Sequence, residues 1–67
     1  MMATTKITTK RGRNVTVHTF AVGQRFGTAA AARIGGRAFE SRVVPYGFDA
    51  AAIEDITAKI EAWEAAR

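Results

Sequence analysis

Apolar and polar positions alternate at first, then give way to a stretch of small residues, and end in a helical period. Ile7, Val15 and Val17 alternate with polar neighbours in a region rich in β-branched residues, which predicts a hairpin with one wet face. An odd-length loop around Arg11-Gly12-Arg13 would set Ile7 opposite Val17 and Thr9 opposite Val15 on one face. Lys6, Thr8, Lys10, Thr16 and His18 then share the other. Phe20 and Val22 have the opposite parity to Val15 and Val17, so either a bulge near Thr19 turns the strand over or the strand is covered on both faces. Gly23 and Gly27 bracket the next predicted turn.

At the other end, Ile53, Ile56, Ile60 and Trp63 recur at steps of three, four and three, lining one face of a helix from about Asp49 to the last turn. Asp49 is the expected N-cap, and Phe48 and Ile53 are spaced as a hydrophobic staple. Asp55 and Lys59 form an i,i+4 pair on the wet side, and Arg67 suits the negative end of the helix dipole.

Residues 28–44 admit two structures. As strands, Gly35-Gly36 is a two-residue hairpin turn, because both positions accept positive φ. Ala32 then faces Phe39 and Ala30 faces Ser41 on the inner side with Ile34 and Val43, while Arg33, Glu40 and Arg42 face out. As helices, Thr28 caps the run Ala29-Ala30-Ala31-Ala32-Arg33-Ile34 and Gly35 ends it. The segment then resembles the helix-turn-helix family of DNA-binding domains. Thr28 to Gly35 stands as the first helix with its turn glycine, and Arg37 to Val44 as the recognition helix. That resemblance implies an N-terminal β-hairpin followed by a helix-turn-helix, with DNA as partner. Ser41 occupies a position that the family's pattern fills with a buried apolar residue, and Val43-Val44 before Pro45 prefers an extended chain. The strand alternative is therefore preferred. The expected fold is α+β: a four-stranded antiparallel β-meander with one C-terminal amphipathic helix packed on one face, in a single domain spanning residues 1–67.

At 67 residues the chain is near the lower limit for folding without staples, and it has no cysteine. Phe26, Phe39, Tyr46, Phe48 and Trp63 are accordingly all assigned to the core. No run is long and apolar enough for a membrane helix, and the N-terminus lacks the pattern of a signal peptide, so the expected compartment is cytoplasmic.

Charge adds the feature most relevant to function. Residues 1–48 hold eight basic side chains and one acid, whereas residues 49–67 hold five acids and two bases. A basic body with an acidic helix is the expected surface. Lys10, Arg11 and Arg13 sit at the first hairpin, and Lys6, Arg33 and Arg42 are predicted on the outer sheet face. These six are the candidate partner- or nucleic-acid-binding residues, acting through phosphate contacts or a complementary protein surface.

The inventory for catalysis is thin. His18 is the only histidine, five of the six acids fall in the helix, and the glycines match neither a P-loop nor a dinucleotide fingerprint. No catalytic residue, metal ligand or cofactor is assigned. The expected function is a small non-enzymatic protein that docks on a protein or nucleoprotein complex and modulates or inhibits it. In size and style it is similar to phage and mobile-element inhibitors, including anti-CRISPR proteins. The alternatives are a basic nucleic-acid-binding module and a homo-oligomeric structural protein, with a homodimer the simplest form.

Overall fold

A computed structural model of the chain describes residues 2–23 and 26–66; Gln24 and Arg25 of the predicted second turn, and Arg67, lie outside them. The elements run β1 (Met2–Thr8), β2 (Asn14–Val22), β3 (Gly27–Ile34), β4 (Arg37–Glu40), β5 (Val44–Pro45) and α1 (Asp49–Ala65). The sheet is an antiparallel meander in the order β1-β2-β3-β4, with β5 also pairing β3. One helix packs on one face. The α+β meander is thus the observed fold, and residues 28–44 form no helix-turn-helix.

Each turn is set by local chemistry. At the first hairpin, Gly12 N–H donates to Thr9 O at 2.8 Å and Thr9 N–H to Arg13 O at 2.9 Å. Gly12, at φ +86°, supplies the left-handed residue of the resulting bulged turn. This tighter closure places Ile7 opposite Val15 and Thr5 opposite Val17, two residues from the predicted register. A shift of two preserves the faces, so the division of inner from outer residues is unchanged. Between β3 and β4, Gly35 and Gly36 both take positive φ, 55° and 86°, as a type I′ turn requires. Ala32 pairs with Phe39, and Ser41 is tied to Ala30 by two bonds of 2.8 Å, N–H to Ala30 O and Ala30 N–H to the Ser41 hydroxyl.

Beyond Ser41 the pairing slips by one residue: Ala31 faces Glu40, but Thr28 faces Val44. The extra residue reverses the alternation. Val44 is buried, whereas Val43, predicted inside, is 59% exposed. In β2 no such slip occurs. Its register with both neighbours is continuous, Thr19 is buried on the inner face and Phe20 stays half-buried on the outer one.

The core is built from Val15, Val17, Ala30, Ala32, Phe39, Val44, Ala52, Ile56 and Ile60, with Ile7, Ile34, Ile53 and Trp63 packed at its margin. Ala30, Ala52, Ile56 and Ile60 are completely inaccessible. Helix entry differs from expectation. Phe48 occupies the cap position with no side-chain cap, Asp49 is the first helical residue, and Phe48 is 61% exposed instead of stapled inside. Phe39 and Trp63 meet edge to face at 5.4 Å, as two core aromatics should.

Gly27 shows how tight the β3–β5 junction is. A Cβ added there would lie 2.4 Å from Val43 Cγ1 and 2.9 Å from Val44 O. Gly27→Ala is expected to destabilise the fold by about 1–3 kcal/mol, as overpacking does, measured by urea unfolding. Adding Val43→Ala to that variant should recover part of the loss; no recovery would show that Val43 is not the obstacle.

Candidate partner-binding surface

The six predicted basic residues separate into three groups. Lys6 and Arg33 are exposed on the uncovered face of the sheet. Lys6 pairs with Thr16, and continuation of the β2–β3 register sets Thr16 beside Arg33, so the two cations share one row across three strands. Lys10 and Arg11 are exposed at the hairpin tip. Arg13 and Arg42 turn to the helix instead. Arg13 Nε donates to Glu64 Oε2 at 2.7 Å, with its guanidinium 5.7 Å from the Trp63 ring. Arg42, predicted to face out from the sheet, gives its backbone N–H to Asp55 Oδ2 at 2.9 Å and holds its Nε 3.9 Å from the same carboxylate.

The acidic helix is correspondingly less free than its sequence implies. Glu64 is buried, Lys10 N–H donates to Glu61 Oε2 at 3.0 Å, and Asp55 also accepts Lys59 Nζ at 3.3 Å. Three carboxylates meant for solvent therefore hold the hairpin tip and the bulge after β4 against α1. The hydrogen bond from Arg13 holds the Glu64 carboxyl below its ordinary value; burial opposes this and is outweighed, while Thr9 and the charges of Arg13 and Arg11 lower it further. The Arg42 N–H does the same for Asp55, against burial and with help from Lys59.

The largest departure from expectation is at the opposite end of the sheet. Phe26 is 85% exposed, Phe48 61%, Val43 59% and Tyr46 53%. The topology gathers them. Gly27, next to Phe26, pairs with Pro45, next to Tyr46. Val43 lies over Gly27, and Phe48 N–H closes a turn onto Pro45 O at 3.0 Å. Beside them an open cleft of about 420 Å³ runs between the sheet and the start of α1, lined by Ala3, Ala21, Thr28, Tyr46, Asp49 and Ala50. Isolated exposed apolar residues are ordinary; four at one end of so small a domain make this end the candidate interaction surface.

Residue size assigned these aromatics to the core, and their local setting held the contrary signal. Phe26 lies between two glycines, Tyr46 between Pro45 and Gly47, and Phe48 at a helix entry, all positions where chain runs over the surface. Among the described residues no three His, Cys, Asp or Glu side chains converge as metal ligands, and no helix is long and apolar enough to cross a membrane. Comparison with protein-family models, with curated proteins and with solved structures finds no match to this chain.

The carboxylate contacts set an acid limit. Glu64 and Asp55 have lowered folded pKa values, so the unfolded chain takes up protons at higher pH than the folded one. Their stabilising contribution is complete above the ordinary values of 4.5 and 3.8 and is lost as pH falls through the lowered folded ones. Thermal unfolding followed by circular dichroism should show Tm falling on acidification below that range, and Glu64→Gln should flatten the fall. At neutral pH, Arg13→Ala should lower Tm more than Arg11→Ala, although the two residues share one hairpin; equal effects would contradict the buried contact.

Proposed function

We propose that this chain is a non-catalytic binding protein that docks its aromatic end on a protein or nucleoprotein partner and thereby modulates or inhibits it. One observation supports this: in a domain whose core is built from alanines, a few aliphatics and Phe39, four large apolar side chains are left exposed at one end of the sheet. Aromatic anchors dominate protein interfaces because each contributes a large rigid area at little entropic cost. The neighbouring cleft offers room for a partner's side chain. Lys6, Lys10, Arg11 and Arg33 surround other faces with free positive charge, which speeds encounter with an acidic surface. In size and architecture the chain is similar to phage and mobile-element inhibitors, anti-CRISPR proteins among them.

Direct nucleic-acid binding is the second hypothesis, favoured by the row of Lys6, Thr16 and Arg33 on the uncovered sheet face. Arg13 and Arg42 are engaged by helix carboxylates, which leaves four of the six predicted cations available.

Affinity co-purification from the native host with quantitative mass spectrometry separates the two. Wild type should enrich a discrete protein set that the variant Phe26→Ser/Tyr46→Ser/Phe48→Ser loses at least about tenfold, hot-spot loss being of that order. The variant's Tm should stay within a few degrees of wild type, as for surface substitutions. Lys6→Glu/Arg33→Glu should retain the partner. Enrichment that survives loss of the three aromatics would overturn the proposal. Duplex DNA binding that weakens steeply between about 50 and 200 mM salt, and that Lys6→Glu/Arg33→Glu abolishes, would establish the second hypothesis in its place.

A further inference from the structure

The two edges of the sheet are treated differently. The β4–β5 edge is short and interrupted: four residues, then the bulge at Ser41 to Val43, then two residues ending in Pro45. Lys59 Nζ caps it by donating to Glu40 O at 3.0 Å. These are the devices that keep a strand from pairing with another chain. β1 has neither the interruption nor the proline. It offers seven consecutive residues in regular register, without proline or bulge and with Lys6 as its only charge. Ala3, Thr4, Thr5 and Lys6 are all exposed, since α1 packs chiefly on β3 and covers this strand only near Ile7.

The hairpin fixes which backbone groups of β1 are free. Thr9 N–H points to Arg13 O across the ladder, so by alternation residues 7, 5 and 3 also bond towards β2. The N–H and C=O groups of Thr4 and Lys6, and of positions 2 and 8, therefore face outwards. An added antiparallel strand must pair even positions with even positions.

The geometry points to a second copy of this chain as that strand: two β1 edges join antiparallel about a two-fold axis at Thr5. This register overlaps all seven residues of both strands. It sets Thr4 against Lys6 of the second copy, Ala3 against its Ile7, and Thr5 against its Thr5. Moving the axis one residue towards the C-terminus would oppose two lysines; moving it one residue the other way shortens the overlap. Full overlap and charge separation thus coincide in a single register, and Thr–Thr and Ala–Ile neighbours suit cross-strand contact. The axis stands perpendicular to the sheet, so the two sheets become one and both helices lie on the same face. The interface is isologous and closes on itself.

This edge meets the cleft at Ala3 but carries none of the four exposed apolar side chains of the aromatic end, and its test needs no partner. Light scattering on the purified full chain should give twice 7.2 kDa at about 100 µM. Thr4→Pro removes an outward N–H while sparing the β1–β2 ladder, and should yield a folded monomer, with circular dichroism checking the fold. Position 5 is a non-hydrogen-bonded pair with Cα atoms about 4.5 Å apart, within disulfide reach. In this cysteine-free chain, Thr5→Cys should cross-link to a covalent dimer under mild oxidation at least about tenfold faster than Lys6→Cys, because only position 5 faces itself. A monomer at that concentration, a Thr4→Pro chain that stays dimeric, or equal cross-linking from both cysteines would overturn the proposal.

Discussion

The alanine floor of β3 is the constraint from which the rest of this structure follows. Ala30 and Ala32 face a helix that brings Ala52 to the same layer, and Ala30 and Ala52 are fully inaccessible. Small side chains on both sides let the helix lie close to the sheet, so that Ile56 and Ile60 fill the remaining space with Val15, Val17 and Val44. That layer encloses Phe39 and packs Trp63 at its margin. Phe26, Tyr46 and Phe48 are left outside, at the end where the chain turns. The small core and the apolar end are therefore two consequences of one packing arrangement.

A thin core also needs its boundary held. Asp55, Glu61 and Glu64 each reach from α1 to a loop of the sheet, to Arg42, Lys10 and Arg13 respectively. Two of these contacts use backbone N–H groups of loops that would otherwise be solvated only by water. The charge imbalance between the two parts of the chain is thus partly an internal attraction. Among the described residues it leaves Lys6, Arg33 and Arg37, and the tip residues Lys10 and Arg11, as exposed positive charge without an ion pair.

Much of the fold was legible from pattern alone. Two-residue alternation placed β1 and β2, paired glycines at 35 and 36 placed the β3–β4 turn, and the three-four-three spacing placed α1. The inner partners Ala32–Phe39 and Ala30–Ser41 followed from turn length. The hairpin register was missed by two residues because a glycine bulge and a symmetric odd loop look alike in sequence. Val43 was missed because a one-residue bulge leaves no compositional mark when the two residues whose places it exchanges, Val43 and Val44, are both valines. The aromatics were misplaced because the demand for core material was judged by residue size, whereas the space available is set by the alanines opposite. Glu64 was not legible because its partner Arg13 is 51 residues away in sequence, beyond any local pattern.

Function on this account resides in what the core could not accommodate. The helix and sheet form a mount whose charged end is tied together by ion pairs and whose aromatic end is left exposed. Photo-cross-linking in the native host tests this most directly, with a benzophenone amino acid placed singly at position 26 or 48 and, for comparison, at 16 or 33 on the open sheet face. The account requires a discrete protein adduct from positions 26 and 48 and none of that adduct from 16 and 33. Adducts from the sheet-face positions alone would contradict it and would move the binding surface to the row of Lys6, Thr16 and Arg33.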